Sequence, residues 1–521
     1  MQPTQHLSSP RMRKPLSRSG TWEHGSMDDP IADDLTAPVS RPPGRTFAAN
    51  AFWLLVAEVG SKIASFIFLI IVARGVGVRD YGYFVLAISL IPLLLMFGRS
   101  GIDVTIVREL ARDERQLSPI VASGLVARVS LGLIALVVGL LITLLLVDER
   151  SVVLSIATIG GALFFDEMST FLGTVFKAFE RMWWHALVTL ANRIGSTVLA
   201  FVVLNLTDEL LPVAIAYLVG SFLALLFGWL ILVRRFPPIS LREADRERAI
   251  RLVRTGAPLG IAALMNMVVF RLDSVLVQVF RGPAALAMYG IAYRFFESSL
   301  FVTWALANAA LPRMSRDTSS GRARTFELVL ALLLAVYLPL AVLSMFVADW
   351  VVVGLFSERY ATAARAVPWL AWAAAFYAIA HLARMSSIAL GKRREILWVS
   401  IAAALFNVAV NLVVIPRFGF VGAAVTTFAT EVIEAVLLIG FFVRVNGSVR
   451  PTTVMVVPLA AAVVTGSVLA LTDDRDLTGA VVGALTYAAS LLLIAWVLAR
   501  DTVRALSGLL RPRKVPPIGS T

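Results

Sequence analysis

Fourteen ionisable side chains sit inside stretches of this sequence that are otherwise apolar. Seven are basic, Lys62, Arg128, Arg193, Arg271, Arg294, Arg365 and Arg384, and seven are acidic, Glu58, Asp166, Glu167, Asp273, Glu297, Glu431 and Glu434. Charges in a bilayer core are costly and face a bundle interior or a wet cavity. So many exceed what a passive scaffold needs, and they point to a wet translocation path. Arg128 is far from either end of its apolar run and has no local acidic neighbour. Together with Arg271 it is the first candidate for holding an anionic substrate.

Spacing sorts the others. Glu58 and Lys62 are i,i+4 and share a helix face, so they can neutralise one another or serve a substrate. Arg294 and Glu297, at i,i+3, can form a second local pair. Arg271 and Asp273 point differently and need separate partners. Asp166 and Glu167 adjoin and diverge by about 100°. Glu431 and Glu434 lie on one face, and two close carboxylates in low dielectric do not both ionise easily. That suits a proton- or cation-coupled step, for which Glu58, Asp166, Glu167, Asp273, Glu431 and Glu434 are the candidates. Hydrogen bonding to neighbouring helices is the alternative use of the same groups. Arg365 and Arg384 lie within two turns of a helix end and are expected to snorkel to the interface.

Other chemistries fail. The chain has no cysteine and only four histidines, without ligand spacing, which removes disulfides, thiolate metal sites and a cysteine nucleophile. No GxxxxGK[ST], HExxH or GxSxG motif occurs, so neither nucleotide hydrolysis nor a familiar hydrolase is indicated. No segment between apolar runs is large enough for a catalytic domain, and the chain reads as a non-enzyme with no metal or organic cofactor.

The elements that must position these charges are transmembrane helices. Of 521 residues, 58% are hydrophobic and 16% charged, with a mean hydropathy of +0.82. A soluble core cannot absorb that excess, and the runs lack the alternation of a barrel. At about 20 apolar residues per span, fourteen spans are predicted: 47–73, 82–98, 119–147, 151–176, 183–206, 210–233, 256–280, 285–311, 325–348, 362–390, 395–415, 418–443, 451–472 and 477–499. The net charge of +13 reflects orientation rather than nucleic-acid binding. With the N-terminus cytoplasmic, the inside segments hold 33 Lys/Arg and the outside loops 7, as the positive-inside rule requires of a multi-pass protein with both termini in the cytoplasm.

Residues 1–46, with seven prolines, read as a disordered cytoplasmic tail, and 501–521 as a basic tail. Arg74-Gly75 and Tyr81-Gly82 recur as Arg281-Gly282 and Tyr289-Gly290. The offset is six spans, which makes two parallel repeats. The expected organisation is an N-lobe over 47–233, a cytoplasmic amphipathic linker over 234–255, a C-lobe over 256–445, and two further helices within 446–500.

Several short motifs recur at the span junctions: RGVGVRDYGYF at Arg74–Phe84, GRSGIDVTIVRELAR at Gly98–Arg112, GAPLG at Gly256–Gly260, RLDSVLV at Arg271–Val277, MYGIAYR at Met288–Arg294 and IPRFGFVGAAVTTFATE at Ile415–Glu431. Gly75, Gly77 and Gly82 suit a tight turn, Pro258 a bend, and Gly419 and Gly422 a sharp turn with close helix packing after it. This ordered series, over about residues 47–445, resembles the bacterial O-antigen-type (Wzx-like) polysaccharide flippases of the multidrug/oligosaccharidyl-lipid/polysaccharide exporter superfamily. The resemblance implies two six-helix lobes around a central cavity. It also implies alternating access and an inner-to-outer flip of undecaprenyl-diphosphate-linked oligosaccharide in the bacterial cytoplasmic membrane, for surface polysaccharide biosynthesis. Coupling to an H+ or Na+ gradient is implied too. On that reading Lys62, Arg128, Arg271 and Arg294 would hold the diphosphate, an inference from their charge and not a motif transfer. The polyprenyl tail would stay in membrane lipid, and a polysaccharide polymerase or glycosyltransferases are the expected partners.

The rivals are a lipid II flippase or cation-coupled drug antiporter of the same fold, and a membrane-embedded glycosyltransferase or polymerase. The last would need an outer domain to hold its acceptor, and the sequence offers none.

Overall fold

The structure is a computed structural model that describes residues 43–99, 101–110, 113–447, 453–472 and 474–498. The C-terminal tail and most of the N-terminal one lie outside the described residues. The chain divides into Met1–Ala49 and Asn50–Thr521, and the bundle is built from the second unit. Among the described residues there is no strand. The helices are α1 (Pro43–Gly75), α2 (Val78–Arg99), α3 (Ile102–Leu110), α4 (Leu117–Leu146), α5 (Arg150–Ala178), α6 (Met182–Leu204), α7 (Leu210–Arg235), α8 (Arg246–Arg316), α9 (Ser319–Phe356), α10 (Val367–Ala389), α11 (Arg393–Asn446), α12 (Thr453–Thr472) and α13 (Leu477–Leu498).

Among the described residues, eleven helices are long and apolar enough to cross a membrane, twelve with the bent pair of a 3-10 segment, Glu358–Arg365, and α10. Two of them are really hairpins. A straight α8 of 71 residues would be about 105 Å long, over three times the thickness of a hydrocarbon core of about 30 Å. Yet Arg271 bonds Glu297 at 2.6 Å, and Tyr289 donates to Asp273. Such contacts require the chain to double back, and it does so at Gly282, whose φ of 76° interrupts the helix. In α11, Asn407 reaches Thr430 at 3.0 Å and Ser400 reaches Glu434 at 3.3 Å, with Gly419 at φ 63° between the arms. A side chain is strained in that left-handed region, and glycine is not. Counting both hairpins as two spans each brings the total to the fourteen read from the sequence.

Positions 234–255 connect α7 to α8, and from Arg246 on they form the first turns of α8, with Ala249 and Leu252 buried and Arg246, Glu247, Arg251 and Arg254 exposed. A short 3-10 turn at Leu241–Glu243 leads into α8, and Asp245 caps that helix by accepting from the backbone N–H groups of Glu247 and Arg248. Serines of α4 fix this connection, Ser118 accepting from the Ser240 N–H at 2.8 Å and Ser123 from the Asp245 N–H at 2.9 Å. Gly82, expected in a turn, lies instead within α2, where it lets two backbones meet.

That meeting joins the N-terminal and C-terminal halves. A Cβ on Gly82 would stand 2.0 Å from the carbonyl oxygen of Pro283, at the start of the second arm of α8. At the opposite end of α2, a Cβ on Gly101 would stand 2.3 Å from the carbonyl oxygen of Gly256 in the first arm. The α1–α2 face carries further ties between the halves. Arg74 donates to the carbonyls of Leu355, at 2.7 Å, and Gly354. The Tyr360 hydroxyl donates to Ala73 O at 2.9 Å, and its ring lies 5.7 Å from that of Tyr81. The helix pair α12 and α13 packs on itself and on α9.

Candidate functional site

A cavity lies between the halves, with about 940 Å³ of empty space including its mouth. Its lining comes from α1, α2, α5, α6, α7 and both arms of α8. The charged lining residues are Lys62, Arg193, Arg271, Arg294 and Glu297, four cations against one carboxylate. Ser65, Ser196, Ser298 and Tyr217 add hydroxyls, and Phe66, Phe68, Leu69, Phe84, Ile88 and Leu163 add apolar walls.

The cations are held differently. Arg271 and Arg294 each donate to one oxygen of Glu297, at 2.6 and 2.5 Å, and their side chains are 12% and 13% exposed. The Nε of Arg271 is buried without a hydrogen-bond partner. Arg193 donates to Asp166 at 3.0 Å and to the Tyr217 hydroxyl at 3.2 Å. Asp166 also accepts from Tyr217 and Asn192, each at 2.8 Å. Lys62 is the loosest, half-exposed, 4.0 Å from Glu58 and 6.0 Å from the ring centre of Trp304. Sequence reading left Arg193, Glu297 and Tyr217 out of the candidate set. Spacing matched Glu297 to Arg294, but only the packing of α6, α7 and α8 shows that Arg193 faces Asp166 and Tyr217 and that Glu297 also faces Arg271.

Arg128 lies outside this lining. It is fully buried, donating to Asp103 at 2.7 Å and Glu167 at 2.9 Å, with Phe171 beneath its guanidinium at 5.9 Å. Arg99 shares Glu167, also at 2.9 Å. The group clamps α2, α3, α4 and α5 to one another. Its partner Asp103 is 25 residues away, beyond any local pairing rule.

The remaining carboxylates sit deeper in the C-terminal half. Asp273 accepts from Tyr289 and, at 2.6 Å, from the Ser274 N–H. Glu434 pairs with Arg384, so Arg384 is buried between helices and does not snorkel as expected. Arg365 is exposed in the bent segment before α10. Glu431 is 4% exposed, its Oε2 has no partner, and it faces a small pocket shared with Phe270, Tyr293, Phe296, Asn407, Thr427 and Thr430. Among the described residues no cluster of three or more His, Asp or Glu could hold a metal ion.

Comparison with known proteins agrees with this architecture. The family described as polysaccharide biosynthesis protein matches residues 47–318, just over half of the chain, and the MatE family matches residues 258–413. An uncharacterized membrane protein of Methanocaldococcus jannaschii is 21% identical over 406 residues, 72% of this chain and 80% of the relative. Among solved structures, the lipid II flippase MurJ in an inward closed conformation has a TM-score of 0.68 at 15% identity, covering 87% of this chain and all of that one. An inward-facing multidrug resistance MATE family transporter of the MOP superfamily has a TM-score of 0.64 at 14% identity, covering 75% of this chain and 95% of that one. A MOP superfamily transporter of Pyrococcus furiosus, whose structure is described as having a binding pocket of reverse polarity, has a TM-score of 0.56 at 15% identity, covering 79% and 98%. The chain is a multi-pass membrane protein that belongs to the polysaccharide biosynthesis protein family and has the fold of the multidrug/oligosaccharidyl-lipid/polysaccharide transporters and flippases.

Proposed function

We propose that this protein flips undecaprenyl-diphosphate-linked oligosaccharide from the inner to the outer leaflet of the cytoplasmic membrane, by alternating access, for surface polysaccharide biosynthesis. The observation that carries the reading is the charge of the cavity. Four cations line it with one carboxylate, and with Asp166 behind Arg193 and Glu58 beside Lys62 one positive charge is still left over, which in a bilayer protein where charge is costly suits an anionic headgroup such as a diphosphate. Lys62, Arg193, Arg271 and Arg294 hold the diphosphate, while Arg128 serves the scaffold. The serines and the open mouth leave the glycan in water, and the polyprenyl chain remains in lipid. A cationic drug would meet repulsion here, which disfavours antiport of such compounds.

The α2–α3 face is cytoplasmic in this reading, since the basic loops gather there. The Gly101–Gly256 and Gly82–Pro283 contacts then tie the halves together on the inner and outer sides, and each must part in turn as the halves rock. Glu431, with its unpartnered oxygen beside Asn407, Thr427 and Thr430, is the coupling site for H+ or Na+.

Reconstitution tests the reading directly. Proteoliposomes receive a fluorescent undecaprenyl-diphosphate oligosaccharide, and its exposure to an added glycosidase is followed with and without an imposed proton or sodium gradient. Gradient-dependent exposure that falls in Arg271→Ala is expected. Transport of lipid II alone would move the protein to that substrate, and transport of a cationic drug alone would overturn the reading.

A further inference from the structure

The cavity wall itself carries an anion in its most cationic corner. Glu297 spans two arginines from opposite arms of α8, its Oε1 on Arg271 and its Oε2 on Arg294. A phosphate presents two oxygens to a pair of guanidiniums in much the same way, and arginine forks recognise carboxylate and phosphate alike. The three side chains all line the cavity, so the ligand meets them directly. Glu297 is 26% exposed and belongs to the cavity wall itself. Arg271 keeps an unused buried Nε–H, which gives it donor capacity beyond what Glu297 takes up.

We infer that Glu297 is a resident counter-anion that the substrate must displace, and that it sets the minimum charge the cavity accepts. This rests on the anionic-lipid reading above. With no ligand, the carboxylate neutralises one of two adjacent guanidiniums and makes their burial affordable. A ligand takes both arginines only if it offsets the loss of both bonds to Glu297 and the repulsion from the displaced carboxylate. A diphosphate has charge and oxygens enough to do so, and a monophosphate falls short. When the ligand departs, Glu297 closes over the arginines again and disfavours rebinding. The same residue thereby serves selectivity on entry and release on exit.

The test measures selectivity, which a merely structural residue would not change. The full chain in lipid nanodiscs is titrated with farnesyl diphosphate, farnesyl monophosphate and farnesol at fixed pH and salt. In the parent, the diphosphate is expected to bind at least about tenfold tighter than the monophosphate, in keeping with the coupling of close charge pairs. Glu297→Gln accepts a bond from only one arginine, so both phosphates bind more tightly and the preference shrinks to about threefold or less. Glu297→Asp keeps the charge and is expected to keep the preference, which separates charge from shape. A preference that is the same in the parent and in Glu297→Gln overturns the inference while leaving the anionic cavity standing. If farnesol binds as well as the diphosphate in every variant, the cavity reading fails and the inference with it. Should Glu297→Gln fail to fold, Glu297→Ser, which also removes the carboxylate and leaves both arginines in place, reads the same ratio.

Discussion

Removing the Arg128 guanidinium should damage the scaffold and spare the transport site. Its side chain is 1% exposed, while its partners Asp103 and Glu167 are 26% and 17% exposed. Breaking a buried pair costs about 3–5 kcal/mol, mostly from the charge left behind. Two features reduce that here. Glu167 keeps Arg99 at 2.9 Å, and Asp103 lies in the first turn of α3, where the helix dipole favours a carboxylate. Arg128→Met retains most of the apolar stem packing, so little cavity cost is added. The loss should be about 2–3 kcal/mol. Thermal denaturation in detergent, followed by size-exclusion fluorescence, should show Arg128→Met melting below both the parent and Arg271→Met. Below its melting point, Arg128→Met should bind farnesyl diphosphate like the parent, whereas Arg271→Met should not. Parent-like melting of Arg128→Met combined with lost binding would refute this reasoning and return Arg128 to the substrate site.

Three further outcomes follow from named contacts. Gly82→Ala places a methyl within 2.0 Å of Pro283 O and Gly101→Ala within 2.3 Å of Gly256 O, so each should prop open its own face. With no native cysteine, Ser298→Cys in the cavity reports this. Its labelling by an impermeant maleimide should rise from the outside in Gly82→Ala and from the inside in Gly101→Ala. Tyr360→Phe deletes the 2.9 Å bond to Ala73 O and should cost about 1 kcal/mol, seen as a lower melting temperature. Glu431→Gln should leave farnesyl diphosphate affinity unchanged while making flipping indifferent to an imposed ion gradient.

The spans were legible in the sequence because a bilayer leaves each helix a single solution, a long apolar run with every backbone group bonded internally. Gly282 and Gly419 mark the reversals for the same local reason, since few other residues tolerate a positive φ there. Pairing was less legible. Arg294 and Glu297 could be matched because three residues separate them on one helix. Arg128 with Glu167 and Arg384 with Glu434, 39 and 50 residues apart, depend on how helices pack, and no periodicity encodes that. Arg384 misled for this reason: near a helix end, snorkelling to water and pairing across a bundle look alike in one dimension. Gly82 misled similarly, because a glycine beside a turn and a glycine beneath a crossing helix have the same sequence signature.

Counting also hid how the charges are sorted. The intramembrane set balances, seven of each sign, and balance alone argues for no particular cargo. Folding pairs most of them across helices and leaves two carboxylates apart. The cavity receives Lys62, Arg193, Arg271 and Arg294 with Glu297 as the one lining carboxylate, while Asp273 and Glu431 withdraw into the C-terminal half, 2% and 4% exposed. The hairpin of α8 is the partition between them. Phe270, Tyr293 and Phe296 face the pocket of Glu431, and their immediate sequence neighbours Arg271, Arg294 and Glu297 face the cavity. An anion on one side and a cation on the other would thus act on the same two helical arms. A shift of those arms that eases one pocket must be felt by the residues next in sequence, which line the other. The ion coupling proposed above would have a physical route within this single hairpin, and would require no contact between the two ligands.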